Sequence, residues 1–251
     1  MRPHKSEYWI FPKIEDQEEF VQRIENICSV YKEAIRPESK TWVTCSDEKT
    51  GIQAISHLNT EAPKKGRLKR VDPEYKRNGT TCLIAGLEVK TGKITNYTQG
   101  DTRNEEDYLR HIQEIVSKHP DDEHIIVCDQ LNTHKSASLV EWVADQIKYD
   151  GDLGHKGKEG ILHSMKSRME FLEDKTRKIR FQFTPKHCSW MNQIENWFGF
   201  LQRRVIKNGN FDSVYMLESK IDRFIEYYND FLTSPTNWKF TGKKYRALLT
   251  N

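Results

Sequence analysis

What this sequence lacks narrows its identity first. None of its five cysteines forms a CxxC pair, so neither a redox dithiol nor a zinc module is written into it, and their scatter gives no disulfide framework. Cys45, Cys82 and Cys128 fall inside apolar strand-like stretches and are expected to be buried thiols. No apolar run approaches the roughly 20 residues that span a bilayer, and no signal peptide opens the chain. The expectation is a soluble protein of a reducing, cytoplasmic compartment with no membrane partner. An excess of one charge is missing too. Forty Lys and Arg stand against 37 Asp and Glu, a net charge of +3, which by itself does not mark a nucleic-acid binder. With 251 residues, 36% hydrophobic and 31% charged, one domain carrying an insertion is expected rather than two independent cores.

What is present is a set of three acids, each at a telling place. The stretch Gln182 to Lys207 begins as a short apolar strand, turns at Pro185 and runs into a long helix. Trp190, Ile194, Trp197, Leu201 and Val205 recur at helical spacing and predict a buried stripe. Glu195 lies about 100–140° round from that stripe, at the rim of whatever the helix covers. Residues 41–47 (TWVTCSD) and 124–129 (HIIVCD) read as apolar strands that stop at Asp47 and Asp129. Strand ends are where an α/β sheet exposes its ligand-binding edge. A single aspartate there is more often a turn residue, but two aspartates and a helix-borne glutamate form a hard oxygen set. Such a set suits Mg²⁺ or Mn²⁺. A pair of these ions would serve phosphodiester displacement. Glu48, next to Asp47, should point to the other face of its strand and away from a metal.

Around the acids lie candidate supporting and phosphate-binding groups. Asn132 is placed to orient Asp129 or to shape its loop, and His134 to touch phosphate or to serve a structural role. Residues 62–79 hold seven Lys and Arg against two acids. They read as a loop in which Lys64, Lys65, Arg67, Lys69 and Arg70 form a DNA-contacting arm beside the cleft. Arg203, Arg204 and Lys207 make a basic tip on the Glu195 helix. Amphipathic helices are expected at Asp16 to Ala34, Glu105 to Lys118, Ala137 to Ile147 and Val214 to Phe231, with a charged helix at Ile161 to Thr176. A hairpin is expected at Thr81 to Val89 and Lys93 to Tyr97, and a last core strand at Ile179–Phe183. The glycine-rich segment beginning at residue 148 reads as a flexible loop. The tail from Trp238 to Arg246, with four bases and no acid, reads as a DNA or protomer contact or as a solvated end.

Three strings carry a family likeness. SDEKTGIQAI (46–55), VCDQLNTHKS (127–136) and TPKHCSWMNQIENWF (184–198) resemble the catalytic blocks of mariner-type DDE transposases, most closely the branch found in bacterial insertion sequences. VDPEYKRNGTTCLIAGLEVKTGKI (71–94), YNDFLTSPTNWKFTG (228–242) and EYWIFP (7–12) are similar to lesser blocks of that family, in the same order. The resemblance implies an α/β, RNase H-like fold: a mixed five-stranded sheet flanked by helices, here with an insertion at about 148–178 before the last core strand. It implies a lead-in helix over 1–40 packed on a catalytic domain of 41–251, whose C-terminal helix and tail occupy 214–251. It makes Asp47, Asp129 and Glu195 the triad holding two Mg²⁺ or Mn²⁺ ions, with Asn192 buttressing the glutamate. Asp129 and Glu195 stand 66 positions apart, wider than the family's usual gap, and Gln130 stands where the family often has Asn.

The implied activity is metal-dependent cleavage of DNA at transposon ends and strand transfer into target DNA, performed by a homodimer in a synaptic complex. The family's helix-turn-helix recognition domains are expected from a separate upstream frame, or else the chain is a truncated relic. Two other readings remain open at this level: an RNase H-like nuclease without strand transfer, and an inactive or domesticated DNA-binding remnant. The first is separated by a joining assay, the second by DNA binding without cleavage.

Overall fold

The computed structural model describes residues 14, 16–61, 65–66, 70–207, 209–243 and 245–246. The EYWIFP lead-in lies outside them, as do Lys64, Arg67 and Lys69.

Helix α1 (Gln17–Ala34) starts where Asp16 accepts the Glu19 amide as an N-cap, with Glu18 and Glu19 in its first turn. Its buried face is Phe20, Val21, Ile24, Ile27, Cys28, Tyr31 and Ala34. Strand β1 (Thr41–His57) follows, then the short strands β2 (Thr60–Glu61) and β3 (Arg70–Val71), β4 (Tyr75–Glu88) and β5 (Ile94–Gly100). After α2 (Glu105–Ser117), β6 (Glu123–Cys128), α3 (Ala137–Gln146), α4 (Met165–Leu172) and β7 (Ile179–Phe183), the chain ends with α5 (Gln193–Leu201) and α6 (Val214–Phe231). The main sheet has the order β5-β4-β1-β6-β7. β5, β4 and β1 pair antiparallel, and β1, β6 and β7 pair parallel.

Each face of this sheet carries its own core. Cys45, Val43 and Val127 face α1, α5 and α6, while Ile126, Cys128 and Phe181 face α2, α3 and α4. Strand alternation makes this division, because successive side chains point to opposite faces. Cys45 and Cys128 are buried thiols as expected, whereas Cys82 is only half-buried. No described helix is long and apolar enough to cross a membrane.

Four elements depart from the sequence reading. β4 begins at Tyr75, six residues before the expected Thr81 and inside the segment read as a loop. β1 does not stop at Asp47 but continues to His57, paired with β4 alone after its parallel pairing with β6 ends at Cys45↔Val127. Gly51, at φ 63°, sits in the bulge between Lys49 and Ile52, a conformation glycine adopts without a Cβ penalty. The helix expected over 161–176 is only eight residues long. Ser164 and Ser167 form a reciprocal cap at its start, and Asp174 accepts the Thr176 amide beyond its end, favouring a turn. Its Phe171 and Leu172 join the sheet core, so this part of the 148–178 segment is structural. The C-terminal tail is packed rather than solvated. Trp238 lies edge-on to Tyr31 with ring centroids 4.9 Å apart, and Arg246 pairs with Glu18 and Glu25 of α1.

Candidate metal centre

The register of the parallel strands builds the centre. Cys45 and Val127 are the last paired residues of β1 and β6. Asp47 and Asp129 each lie two positions further on, which puts them side by side and on the same face. Neighbouring strands run about 4.8 Å apart, and carboxylate oxygens of Asp47 and Asp129, with a nitrogen of His134, all fall within 4.8 Å of one another. Because β6 ends at Cys128, Asp129 is free to turn toward solvent, and its side chain is 42% exposed against 7% for the whole of Asp47.

Both aspartates are held in place. Asp47 accepts the Glu48 amide at 2.8 Å through Oδ1 and the Asn192 side-chain amide at 3.3 Å through Oδ2. Asn192 is fully buried and also donates to the Ser46 carbonyl at 3.0 Å. Its side chain therefore braces Asp47, and it supports Glu195 only through the backbone. The reason is positional: Asn192 precedes the first helical residue of α5, so its side chain faces back to β1 while its carbonyl accepts the Glu195 amide at 3.1 Å. Asp129 Oδ1 accepts from the Leu131 amide at 2.8 Å, and His134 Nδ1 lies 2.8 Å from the same oxygen and 3.2 Å from the Asp129 carbonyl, to which it is hydrogen-bonded. Asn132 is exposed and makes no side-chain cap to the turn that follows it. Of its two expected roles, it serves loop shape, accepting the Lys135 amide on its carbonyl.

Glu195 sits in the first turn of α5, half-buried. Tyr31 fixes the approach to that helix by donating to the Met191 carbonyl at 2.6 Å. The carboxylate stands outside the tight Asp47–Asp129 group. Burial pushes its carboxyl upward, the Lys49 ammonium opposes this, and the charge of Asp129 adds to it. Burial likewise pushes Asp47 up to about 7, with the charge of Asp129 next in weight and His134 acting against both. Burial would also raise Asp129, but the hydrogen bond and charge of His134 outweigh it and hold that carboxyl below its ordinary value.

This donor set fits a hard divalent cation. Two carboxylates are fixed where each raises the cost of the other's charge, and a cation between them relieves that cost. His134 fits phosphate contact poorly. It is fully buried, and both ring nitrogens are engaged, one by Asp129 and the other by Glu48 Oε2 at 3.0 Å. Glu48 does face away from Asp47, as strand alternation requires, yet it lies directly beneath the centre.

The other predicted residues divide. Arg203, Arg204 and Lys207 are exposed on a π-helical turn, Gln202–Ile206 and its cap, that continues α5. Arg204 lies over the Phe200 ring at 5.3 Å. Lys65 and Arg70 are exposed, with Arg70 4.0 Å from Glu61. His57 lies ten positions beyond Asp47 on β1, about 30 Å along the ribbon at ~3.3 Å per residue, and Arg70 sits in the short β2–β3 pair that follows it. Trp190 is 41% exposed and packs edge-on to Phe240. The buried stripe therefore begins one turn later than its spacing suggests, because Ser189–Met191 is a 3₁₀ turn before α5.

A family model described as "DDE superfamily endonuclease" matches residues 42–218. No curated protein matches the sequence. Among solved structures, the chain is similar to that in the Mos1 mariner paired end complex with Mn, at TM-score 0.53 and 12% identity, covering 98% of this chain and 66% of that one. It is similar to the chain of a pre-cleavage Mos1 transpososome at TM-score 0.53 and 13% identity, again over 98% and 66%. The chain thus spans just under two thirds of those proteins. At such identity the likeness is one of fold, and that fold is RNase H-like.

Proposed function

The chain belongs to the DDE superfamily of endonucleases, and from that premise we propose that it is the catalytic domain of a transposase. It cuts DNA at the ends of a mobile element and joins those ends to target DNA. The observation that carries this reading is the in-register pair Asp47 and Asp129, held within a few ångströms of each other with Glu195 on the helix alongside. Asp47, Asp129 and Glu195 are the residues that would hold the metal, two ions of Mg²⁺ or Mn²⁺. When bound, these ions supply Lewis-acid activation of the attacking oxygen and charge stabilisation of the leaving one.

The chain's own groups have separate tasks. Asn192 and the Glu48 amide hold Asp47 rigid, and Leu131 and His134 hold Asp129, so the anionic oxygens need little rearrangement. Arg203, Arg204 and Lys207 face solvent from the end of the Glu195 helix, where they bind phosphates. In cleavage, water attacks the phosphorus and the P–O3′ bond breaks, leaving a 3′-hydroxyl and a 5′-phosphate. In joining, that 3′-oxygen attacks a target phosphodiester in line and displaces another 3′-oxygen. The protein forms no covalent intermediate.

Two ends are joined per event, which favours a homodimer in the synaptic complex. The similarly folded Mos1 chain is described in paired-end form with Mn, in keeping with this reading. Recognition of the ends by a helix-turn-helix partner, and action at the nucleoid, belong to the same proposal. The test is an assay on DNA taken from either side of the reading frame, with Mn²⁺ present. Cleavage at an inverted repeat followed by joining supports the proposal. Cleavage without joining makes the chain a nuclease, and DNA binding without cleavage makes it a remnant.

A further inference from the structure

Glu48 and His134 form a buried pair directly under the two aspartates. The Glu48 side chain is 1% exposed and that of His134 is 0% exposed. His134 Nε2 lies 3.0 Å from Glu48 Oε2, and Nδ1 lies 2.8 Å from Asp129 Oδ1. The ring is clamped by Tyr108, also fully buried, with centroids 4.1 Å apart and planes tilted 33°. Topology explains how the pair arises. Glu48 alternates to the α2–α3 face of the sheet, and the 3₁₀ turn Thr133–Lys135 folds the chain after Asp129 back beneath that face.

A buried polar pair is costly to assemble and adds little stability compared with apolar packing. Its distinguishing contact is with Asp129, whose Oδ1 it engages. A histidine with both nitrogens occupied cannot also be a metal ligand while those bonds last. We propose that Glu48 and His134 are positioning residues for the Asp129 carboxylate: they fix its orientation and thereby set the affinity of the centre for a divalent cation. This rests on the reading of Asp47, Asp129 and Glu195 as a metal centre. Glu48 holds one ring nitrogen, so the other stays aimed at Asp129.

The experiment is a titration of the full chain with Mn²⁺ alone, read by the paramagnetic resonance signal of the free ion. The parent is compared with Glu48→Gln, His134→Asn and the double variant. Glu48→Gln keeps the size of the side chain, and the double variant leaves no unpaired buried charge, so these two decide the matter if His134→Asn does not fold. Loss of an outer partner of a metal ligand costs about 10–100-fold in affinity. A loss in that range is expected for the double variant, with a smaller loss for Glu48→Gln and no further loss when Glu48→Gln is added to His134→Asn. Excess Mn²⁺ should restore DNA nicking by Glu48→Gln. Folded variants that bind Mn²⁺ as the parent does, or more tightly, overturn the inference. So does imidazole nitrogen modulation on Mn²⁺ bound to the parent, which would make His134 a ligand. A parent that binds no Mn²⁺ overturns the metal-centre reading and this inference with it.

Discussion

The side-chain amide of Asn192 reaches across to Asp47, 145 positions earlier in the chain, donating to Oδ2 at 3.3 Å and to the Ser46 carbonyl at 3.0 Å. This bond ties the segment before the Glu195 helix to the strand that carries the first aspartate, so two of the three acids are held in one rigid unit. Asn192→Ala leaves a buried carbonyl and a buried carboxyl short of a donor, a cost of about 1–3 kcal/mol. Thermal denaturation should show a lower melting temperature, and DNA nicking should fall with it. An unchanged melting temperature would contradict the brace.

Asp47 has a carboxyl raised from 3.8 to about 7, by burial first and by Asp129 second. Its folded pKa exceeds its unfolded one, so the folded chain holds the proton longer. Stability of the metal-free protein therefore falls as pH rises from about 4 to 7 and stays low above. Asp47→Asn removes this cost. It should flatten the dependence of the metal-free melting temperature on pH between about 4 and 7, and abolish the rise that Mn²⁺ gives the parent. A variant that keeps the parent's pH dependence would show that Asp47 is not strained by its neighbour.

Much of this is legible in the sequence because it is local. β7 and α6 fall at Ile179–Phe183 and Val214–Phe231, where alternation and helical spacing put them. Asp129 is legible as a residue just past an apolar strand. Long-range register is not. Nothing local says that β1 outruns β6, so pattern alone ends the strand at Asp47. Glu48 and His134 meet across 86 positions. Alternation gives Glu48 its face correctly, but only the back-folded turn after Asp129 supplies the histidine there. The tail looks free in the sequence because its partners on α1 lie more than 200 positions away.

Arg246 is occupied by Glu18 and Glu25, so its charge is not available to DNA. Arg246→Ala should leave DNA affinity and its salt dependence unchanged and hardly move the melting temperature, because exposed ion pairs add little. Trp238→Ala should cost more, about 2 kcal/mol, because its packing on Tyr31 disappears. Weaker DNA binding by Arg246→Ala would reopen the tail as a DNA-binding element.

Arg203, Arg204 and Lys207 are the first exposed bases that follow Glu195 along the chain. Replacing all three by alanine should reduce the slope of log affinity against log salt by about 0.9 for each phosphate no longer neutralised, roughly 2 to 3 in total on duplex DNA. The melting temperature should hardly move. An unchanged slope would place the DNA elsewhere.

The most direct measurement is Mn²⁺-dependent nicking of supercoiled plasmid by the full chain and by Glu195→Gln. Glu195 lies outside the Asp47–Asp129 cluster yet feels the charge of Asp129, so the triad stands or falls on it. The expected result is nicking by the parent and none by a variant whose melting curve matches the parent's. Undiminished nicking by Glu195→Gln would contradict the assignment of the three acids to one centre.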